Sequence, residues 1–373
     1  MVERIRSTAP PDAILVASTA ILVAIGLIMV FSASSVLAVA LHHDSLYYLK
    51  RQLIWLAIGA IIAFLVARLD YQQLRRLAPW ALGLSIILLI LVLVPHVGLA
   101  SGGARRWLGA GAFSFEPSEF AKLALILYLA SALAGKGERV RSFVEGVVPP
   151  AIVSAFLAVL VVKEPDMGTA SLLAFTAGAM LFAAGARILH LVAIALVTAP
   201  WIVFLIAHDA YKRARILAFL DPWKDPQDKG FHIVQSLLAL GSGGAFGVGL
   251  GFSRQKFFWL PEAHTDFIAS IIGEELGFIG MLAVVVLFVV FAYRAVRIAL
   301  GAPDRFGFFL VIGCLAMIVI QALVNIGVVT SAWPVTGVPL PFISFGGSSL
   351  VVCMAAVALV INVGRFRRNP SAE

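Results

Sequence analysis

Asp266 stands at the start of a long apolar run, in PEAHTDFIASIIGEELG, with His264 two residues before it. A carboxylate there has two readings. It could cap the helix that the run forms, or complement its dipole. Alternatively it is a partly desolvated acid at the membrane–water boundary, with a raised pKa that suits a general base. The stretch 208–266 also carries Lys212, Arg213, Arg215, Lys224, Lys229, Arg254 and Lys256. These side chains either form a solvated, headgroup-facing surface or cradle an anionic ligand such as a lipid pyrophosphate. The glycine-rich run GSGGAFGVGLG at 241–251 is either a turn or a place where backbone N–H groups reach a phosphate. Arg105 and Arg106 beside Trp107 could hold a phosphate and a sugar, or anchor the chain at the interface. Glu119 and Lys122 are three apart, the spacing of a helical ion pair. Lys163-Glu164-Pro165-Asp166 reads as a capping turn or as part of the same external site.

The elements that must position these residues are apolar. Of 373 residues, 61% are hydrophobic and 13% charged, with a mean hydropathy of +1.00. A water-soluble chain is nearer about 45–50% apolar and 25% charged, so a soluble enzyme, a disordered chain and a disulfide scaffold are excluded. The net charge of +8 does not indicate nucleic-acid binding, because the basic residues fall between apolar runs, where topology signals sit. Cys314 and Cys353 lie inside such runs and read as small buried hydrophobes.

A helix needs about 20 mostly apolar residues to cross a bilayer. Ten runs qualify or nearly qualify, at 14–40, 52–68, 77–95, 119–135, 146–162, 168–186, 188–207, 267–293, 306–330 and 345–364. Trp333-Pro334, Pro339, Pro341 and Gly346-Gly347 separate the last two. The expectation is an all-α integral membrane protein, one polytopic domain over 1–373 with about ten transmembrane helices. Placing the N-terminus in the cytoplasm puts Arg4, Arg6, Arg75, Arg76, Lys136, Arg294, Arg297, Arg367 and Arg368 inside and leaves the short outer loops poor in basic residues. Both termini are then cytoplasmic, and 208–266 is one long extracytoplasmic loop between helices 7 and 8. Within it FHIVQSLLAL, 231–240, reads as an amphipathic helix lying in the interface. Charges inside spans mark transport paths. Here they are few, chiefly Glu274 and Glu275, so chemistry is expected at the outer face.

GARRWLGAGAFSFEPSEFAKL, KEPDMGTA, DPWKDPQDKGFHIVQSLLALGSGG, GFSRQKFFWLPEAHTDFIASIIGEELG and PVTGVPLPFISFGGSSL together resemble the SEDS family (shape, elongation, division and sporulation) of ten-span bacterial cell-wall polymerases. The matching stretches run in order across most of the chain. PEAHTDFI and GFHIVQSLLALGSGG look more like division and sporulation members than elongation members, and VTGVPLPF is shared with the sporulation type. Phe345 departs from the tyrosine of many division members. The resemblance implies polymerisation of lipid II at the outer face of the bacterial cytoplasmic membrane, at the septum for a division member. It also implies that the family's essential aspartate is matched by Asp266, its tryptophan by Trp107, its helix-four pair by Glu119 and Lys122, and its KEPD turn by Lys163 to Asp166.

Residue chemistry and resemblance then give one mechanism. Asp266 is the base of a single inverting displacement, and Arg106, Arg215, Arg254 and Lys256 meet the pyrophosphate. Trp107 stacks on a sugar, and Lys163, Asp166 and His264 complete the substrate site. A divalent cation, Mg²⁺ or Mn²⁺, could share the charge, although the sequence offers no dedicated ligand set and no covalently bound cofactor is expected. The resemblance further implies a class B penicillin-binding protein (a transpeptidase) and other division proteins as partners. A lipid II flippase and a non-catalytic division scaffold are the rival classes.

Overall fold

Aspartates mark where several of the apolar runs become helices. The computed structural model describes residues 10–101, 104–110, 113–257 and 259–366. Helices α1 (Ala13–His42) and α3 (Tyr71–Leu93) follow Asp12 and Asp70. α6 (Met167–Ala183) and α11 (Arg305–Val329) follow Asp166 and Asp304. Each of the four carboxylates accepts a backbone N–H of the first turn, which satisfies a donor that the helix itself cannot. The other helices are α2 (Tyr47–Arg68), α4 (Pro117–Lys136), α5 (Val148–Lys163), α7 (Ile188–Ala207), α8 (Ala210–Leu220), α9 (Phe231–Gly243), α10 (Ile268–Leu300) and α12 (Gly347–Arg365).

Among the described residues, nine helical segments are at least 18 residues long and apolar enough to cross a membrane. The run expected as a sixth span is α6, of 17 residues, or about 26 Å against a hydrocarbon core of about 30 Å. It packs inside the bundle against α4, α5 and α11, with Leu172, Leu173, Thr176 and Met180 buried. The main core lies along α4, α11 and α12, where Leu125, Ile126, Leu129, Met317, Ile318 and Val360 are fully buried. α7 is the opposite case. It is apolar all round and buries none of its residues, the pattern of a helix surrounded by lipid.

The two ends of the bundle differ. At one, Arg294 pairs with Asp12, Tyr71 and Gln72 donate to Asp304, and Asn362 and Arg365 donate to carbonyls at the end of α2. Arg4, Arg6, Arg367 and Arg368, on which the expected orientation also rests, lie outside the described residues. At the other end a small antiparallel sheet adds to the all-helical expectation: β1 (Leu99–Ser101), β2 (Ala104–Ala110) and β3 (Phe113–Phe115), in that order.

α10 has 33 residues and is broken at Gly277, where φ is 70° and ψ −167°. The glycine-rich run meets the backbone groups that the break frees. Val248 and Gly249 N–H donate to the carbonyls of Glu274 and Glu275 at 2.9 and 3.0 Å. Phe278 and Ile279 N–H donate to the carbonyls of Gly244 and Ala245 at 2.9 and 3.1 Å. In a bilayer such groups have no water to turn to. A Cβ on Gly247 would stand 2.2 Å from the Glu275 carbonyl oxygen, and φ there is +80°, so only glycine fits. The run is therefore the mate of a broken helix, not the phosphate cradle considered above. α9, read from sequence as an amphipathic helix, lays one face on the bundle. It packs on α10 and α11, and its Ser236 hydroxyl bonds the Ser270 hydroxyl and the Val329 carbonyl, both at 2.7 Å.

Candidate active site

Residues 260–267 wind through turns before α10 begins. Thr265 and Phe267 N–H both donate to the Glu262 carbonyl at 3.2 Å, and Glu262 adopts a left-handed φ of 54°. The N-cap is consequently Phe267, with no side-chain cap. Asp266 does not cap α10, so the capping reading of its carboxylate fails. Instead Oδ2 faces Gly337, where a Cβ would stand 3.4 Å away and φ is +76°.

The backbone beside this carboxylate is pinned from α11 and from the segment 335–345. Asn325 Nδ2 donates to the carbonyls of Asp266 and Val338 at 2.7 and 2.8 Å. The Ser344 hydroxyl donates to the Thr265 carbonyl at 2.6 Å and accepts the Leu340 N–H at 2.8 Å. Phe345 N–H donates to the His264 carbonyl at 2.9 Å, and Gln321 Nε2 to the Pro339 carbonyl at 2.9 Å. A proline- and glycine-rich segment that broke two spans in sequence thus folds back to line the site.

Charges from four parts of the chain meet at Asp266. Burial pushes its carboxyl up to about 7; Glu262 and Asp166 push the same way, while Arg215 and Arg106 pull it down. Arg106 reaches from β2 to the turn between α5 and α6, donating through Nε to the Glu164 carbonyl at 3.1 Å and through Nη2 to the Pro165 carbonyl. From α8, Arg215 Nη1 donates to the Val335 carbonyl at 3.4 Å. Asp166 caps α6 by accepting the Thr169 N–H at 2.9 Å, and its charge also bears on Asp266. Glu164 beside it is fully buried with neither carboxylate oxygen hydrogen-bonded. Burial, then the charge of Asp166, raises it to about 8. Glu116, just before α4, is also raised, by burial and then by Asp166 and Glu119. Three carboxyls raised by burial, those of Asp266, Glu164 and Glu116, thus share the field of the Arg106 guanidinium, a combination found where acids and bases are tuned.

The remaining expected residues divide. Lys122 Nζ lies 2.9 Å from the Glu119 carboxylate and 2.8 Å from Gln321 Oε1, a buried network tying α4 to α11. Trp107 is half-buried on β2, on the opposite face of the strand from Arg106. Lys163 is exposed at the end of α5, and Arg254 is exposed with its N–H on the Glu274 carboxylate at 2.9 Å. His264 is buried with its ring 4.6 Å from that of Tyr48 and 5.6 Å from that of Phe345, and burial lowers its pKa; it packs. Lys256 is a correction. Its ammonium is buried against Glu275 Oε1 at 3.1 Å and the Gly251 carbonyl at 2.6 Å, so it faces inward. The ion pair explains the difference: a carboxylate 19 residues away in sequence claims the charge expected for the pyrophosphate.

Sequence reasoning missed Glu262 and Gly337 beside Asp266, Ser344 on the adjoining Thr265 carbonyl and Glu116 near Asp166, and none carries a spacing signal. Among the described residues no three His, Cys, Asp or Glu side chains converge as a metal-ligand set, so no step below passes through a cation held by this chain.

A family model described as "Cell cycle protein", covering FtsW, RodA and SpoVE, matches residues 12–369. The chain is 48% identical over 360 residues to stage V sporulation protein E of Bacillus subtilis, covering 96% of this chain and 98% of the relative. It is 46% identical over 352 residues to a probable peptidoglycan glycosyltransferase FtsW of Trichlorobacter lovleyi, covering 94% and 92%. Among solved structures, it resembles a chain of a peptidoglycan synthase complex with a TM-score of 0.78 and 32% identity, covering 95% of this chain and 98% of that one. It also resembles the rod shape determining protein RodA of Thermus thermophilus, with a TM-score of 0.72 and 31% identity, covering 96% and 98%. On these grounds, with its membrane helices and its charged site at one end, the chain belongs to the FtsW/RodA/SpoVE family of cell cycle proteins.

Proposed function

We propose that this protein is a peptidoglycan glycosyltransferase that polymerises lipid II, with Asp266 as the general base. The observation that carries the reading is a carboxyl raised to about 7 beside the guanidinium groups of Arg106 and Arg215. The names of the FtsW relatives support the reaction class, and the likeness to a synthase complex concerned with polymerization and crosslinking supports a transpeptidase partner.

The reaction needs one displacement. A sugar 4-hydroxyl of one lipid-linked glycan attacks the anomeric carbon of another. The new glycosidic C–O bond forms as the bond to pyrophosphate breaks, so an α donor gives a β product. The hydroxyl proton passes to the Asp266 carboxylate, which must start ionised. The pyrophosphate leaves with the bonding electron pair, and Arg106 and Arg215 stabilise its charge. Asp166 and Glu164 set the field around Arg106. Exposed Arg254 is a further pyrophosphate contact, and Trp107 a sugar platform. The site faces the outer leaflet, both termini are cytoplasmic, and 1–373 acts as one domain. A division role at the septum, with a class B penicillin-binding protein and other division proteins, follows the FtsW likeness; the SpoVE likeness favours sporulation as the second setting. Against a flippase, the carboxylates of Glu274 and Glu275 are engaged by backbone, serine and lysine partners.

The test uses protein purified with its matched transpeptidase, lipid II and a divalent cation, with products separated on a gel. Wild type should give long glycan and Asp266→Asn none, with both folded in membranes. Full activity in the variant overturns the base assignment.

A further inference from the structure

Asp266 sits at the head of a half-helix. Residues 268–276 run only from the turns around Glu262 to the break at Gly277, so α10 alone does not tie them to the long helix beyond. Their far end is gripped by a buried polar cluster. The Glu275 carboxylate accepts the Ser32 hydroxyl at 2.7 Å, Lys256 Nζ at 3.1 Å and the Ser253 N–H at 3.3 Å. Lys256 also donates to the Gly251 carbonyl at 2.6 Å and to Ser32 Oγ at 3.3 Å. The Glu274 carboxylate accepts the N–H groups of Arg254 and Gln255 at 2.9 and 3.4 Å and the Ser253 hydroxyl. Three elements thus converge on two adjacent carboxylates: α1 through Ser32, the loop 251–256, and the half-helix itself.

Apolar packing could hold a helix here without desolvating charges. A buried ion pair with directional partners is costly to form and costly to leave half-made, and it favours one arrangement over its neighbours. We propose that Lys256 and Glu275 are positioning residues, a latch that fixes the half-helix 268–276 and so the place of the Asp266 carboxylate relative to Arg106 and Arg215. The inference rests on the proposed role of Asp266. With the latch open, the segment pivots at Gly277. Water then reaches a carboxyl that faces Glu262 on its own segment, Asp166 from the α5–α6 turn, Arg106 from β2 and Arg215 from α8. Its proton affinity falls towards that of an ordinary carboxylate, and its distance to the arginines changes.

The experiment compares wild type with Lys256→Met/Glu275→Gln, which removes both charges together and leaves neither unpaired. Three readouts are taken on the full chain with its transpeptidase: amide hydrogen exchange over 268–276, kcat and KM for lipid II, and the pH profile of kcat. The double variant should exchange at least tenfold faster in that segment. Its kcat should fall at least tenfold with little change in KM, and its acid limb should move to lower pH. Ser32→Ala, a milder change, should move all three in the same direction by two- to fivefold in rate, and serves if the double variant does not fold. Unchanged exchange in a folded variant overturns the latch. Faster exchange with unchanged kcat and pH profile overturns its positioning role. Should Asp266→Asn remain active, the base reading fails separately, and the exchange measurement still tests the latch.

Discussion

At the scale of single residues, the site depends on one carboxyl whose proton affinity is set by its surroundings. A base works only when ionised, so with Asp266 at about 7 the rate should rise with pH through neutrality and fall away below it. The neighbours set the direction of each shift. Glu262→Gln removes a charge that raises Asp266, so the acid limb should move to lower pH. Arg215→Ala removes a charge that lowers it, so the limb should move to higher pH, with a loss of kcat from the missing pyrophosphate contact. Rate–pH profiles on lipid II check both; the same displacement in both variants contradicts this electrostatic picture. Lys256 shows why residue type alone is a weak guide. Seven basic side chains in 208–266 are chemically alike in sequence. The tertiary fold sends Arg215 to the site and Lys256 to Glu275.

At the scale of elements, the broken helix α10 and its glycine-rich mate are one unit. Gly247→Ala would set a Cβ 2.2 Å from a backbone carbonyl at a φ of +80°. Overpacking costs about 1–3 kcal/mol, and the left-handed backbone adds about 1–2 kcal/mol for a residue with a Cβ. Gly241→Ala, in α9, meets nothing within 4 Å and should be neutral or slightly stabilising, as helix propensity favours alanine. Thermal unfolding in detergent separates the two; equal melting temperatures contradict the account. The apolar runs that became α1, α4, α11 and α12 were legible because a membrane helix announces itself locally, by length and hydropathy. The break at Gly277 was not, since a glycine in an apolar helix is common in membranes and only its partner loop shows which one interrupts the hydrogen bonding.

At the scale of the whole molecule, the arrangement is a bundle with a basic end and a site end. Cys314 and Cys353 are both buried, so the native chain offers a clean background for labelling. Lys163→Cys, exposed at the site end, should react with a membrane-impermeant maleimide in intact cells. Glu138→Cys, exposed at the opposite end, should react only after permeabilisation. The reverse pattern overturns the orientation and with it an outward-facing site.

The sequence by itself determined the solvent of this protein, the approximate positions of its spans and the segments that carry chemistry. Each follows from local composition and order: hydropathy over about 20 residues, the spacing of basic residues between apolar runs, and motif stretches whose resemblance named the family. Tertiary structure alone decided which groups surround Asp266, that it does not cap its helix, that Lys256 is a partner of Glu275, and that the glycine run repairs a broken helix. Those outcomes depend on pairings across long separations, such as Ser32 with Glu275 and Asn325 with Asp266. Desolvation and hydrogen bonding select them only once the chain is packed, because in the sequence any of several like residues could have supplied the same charge or donor.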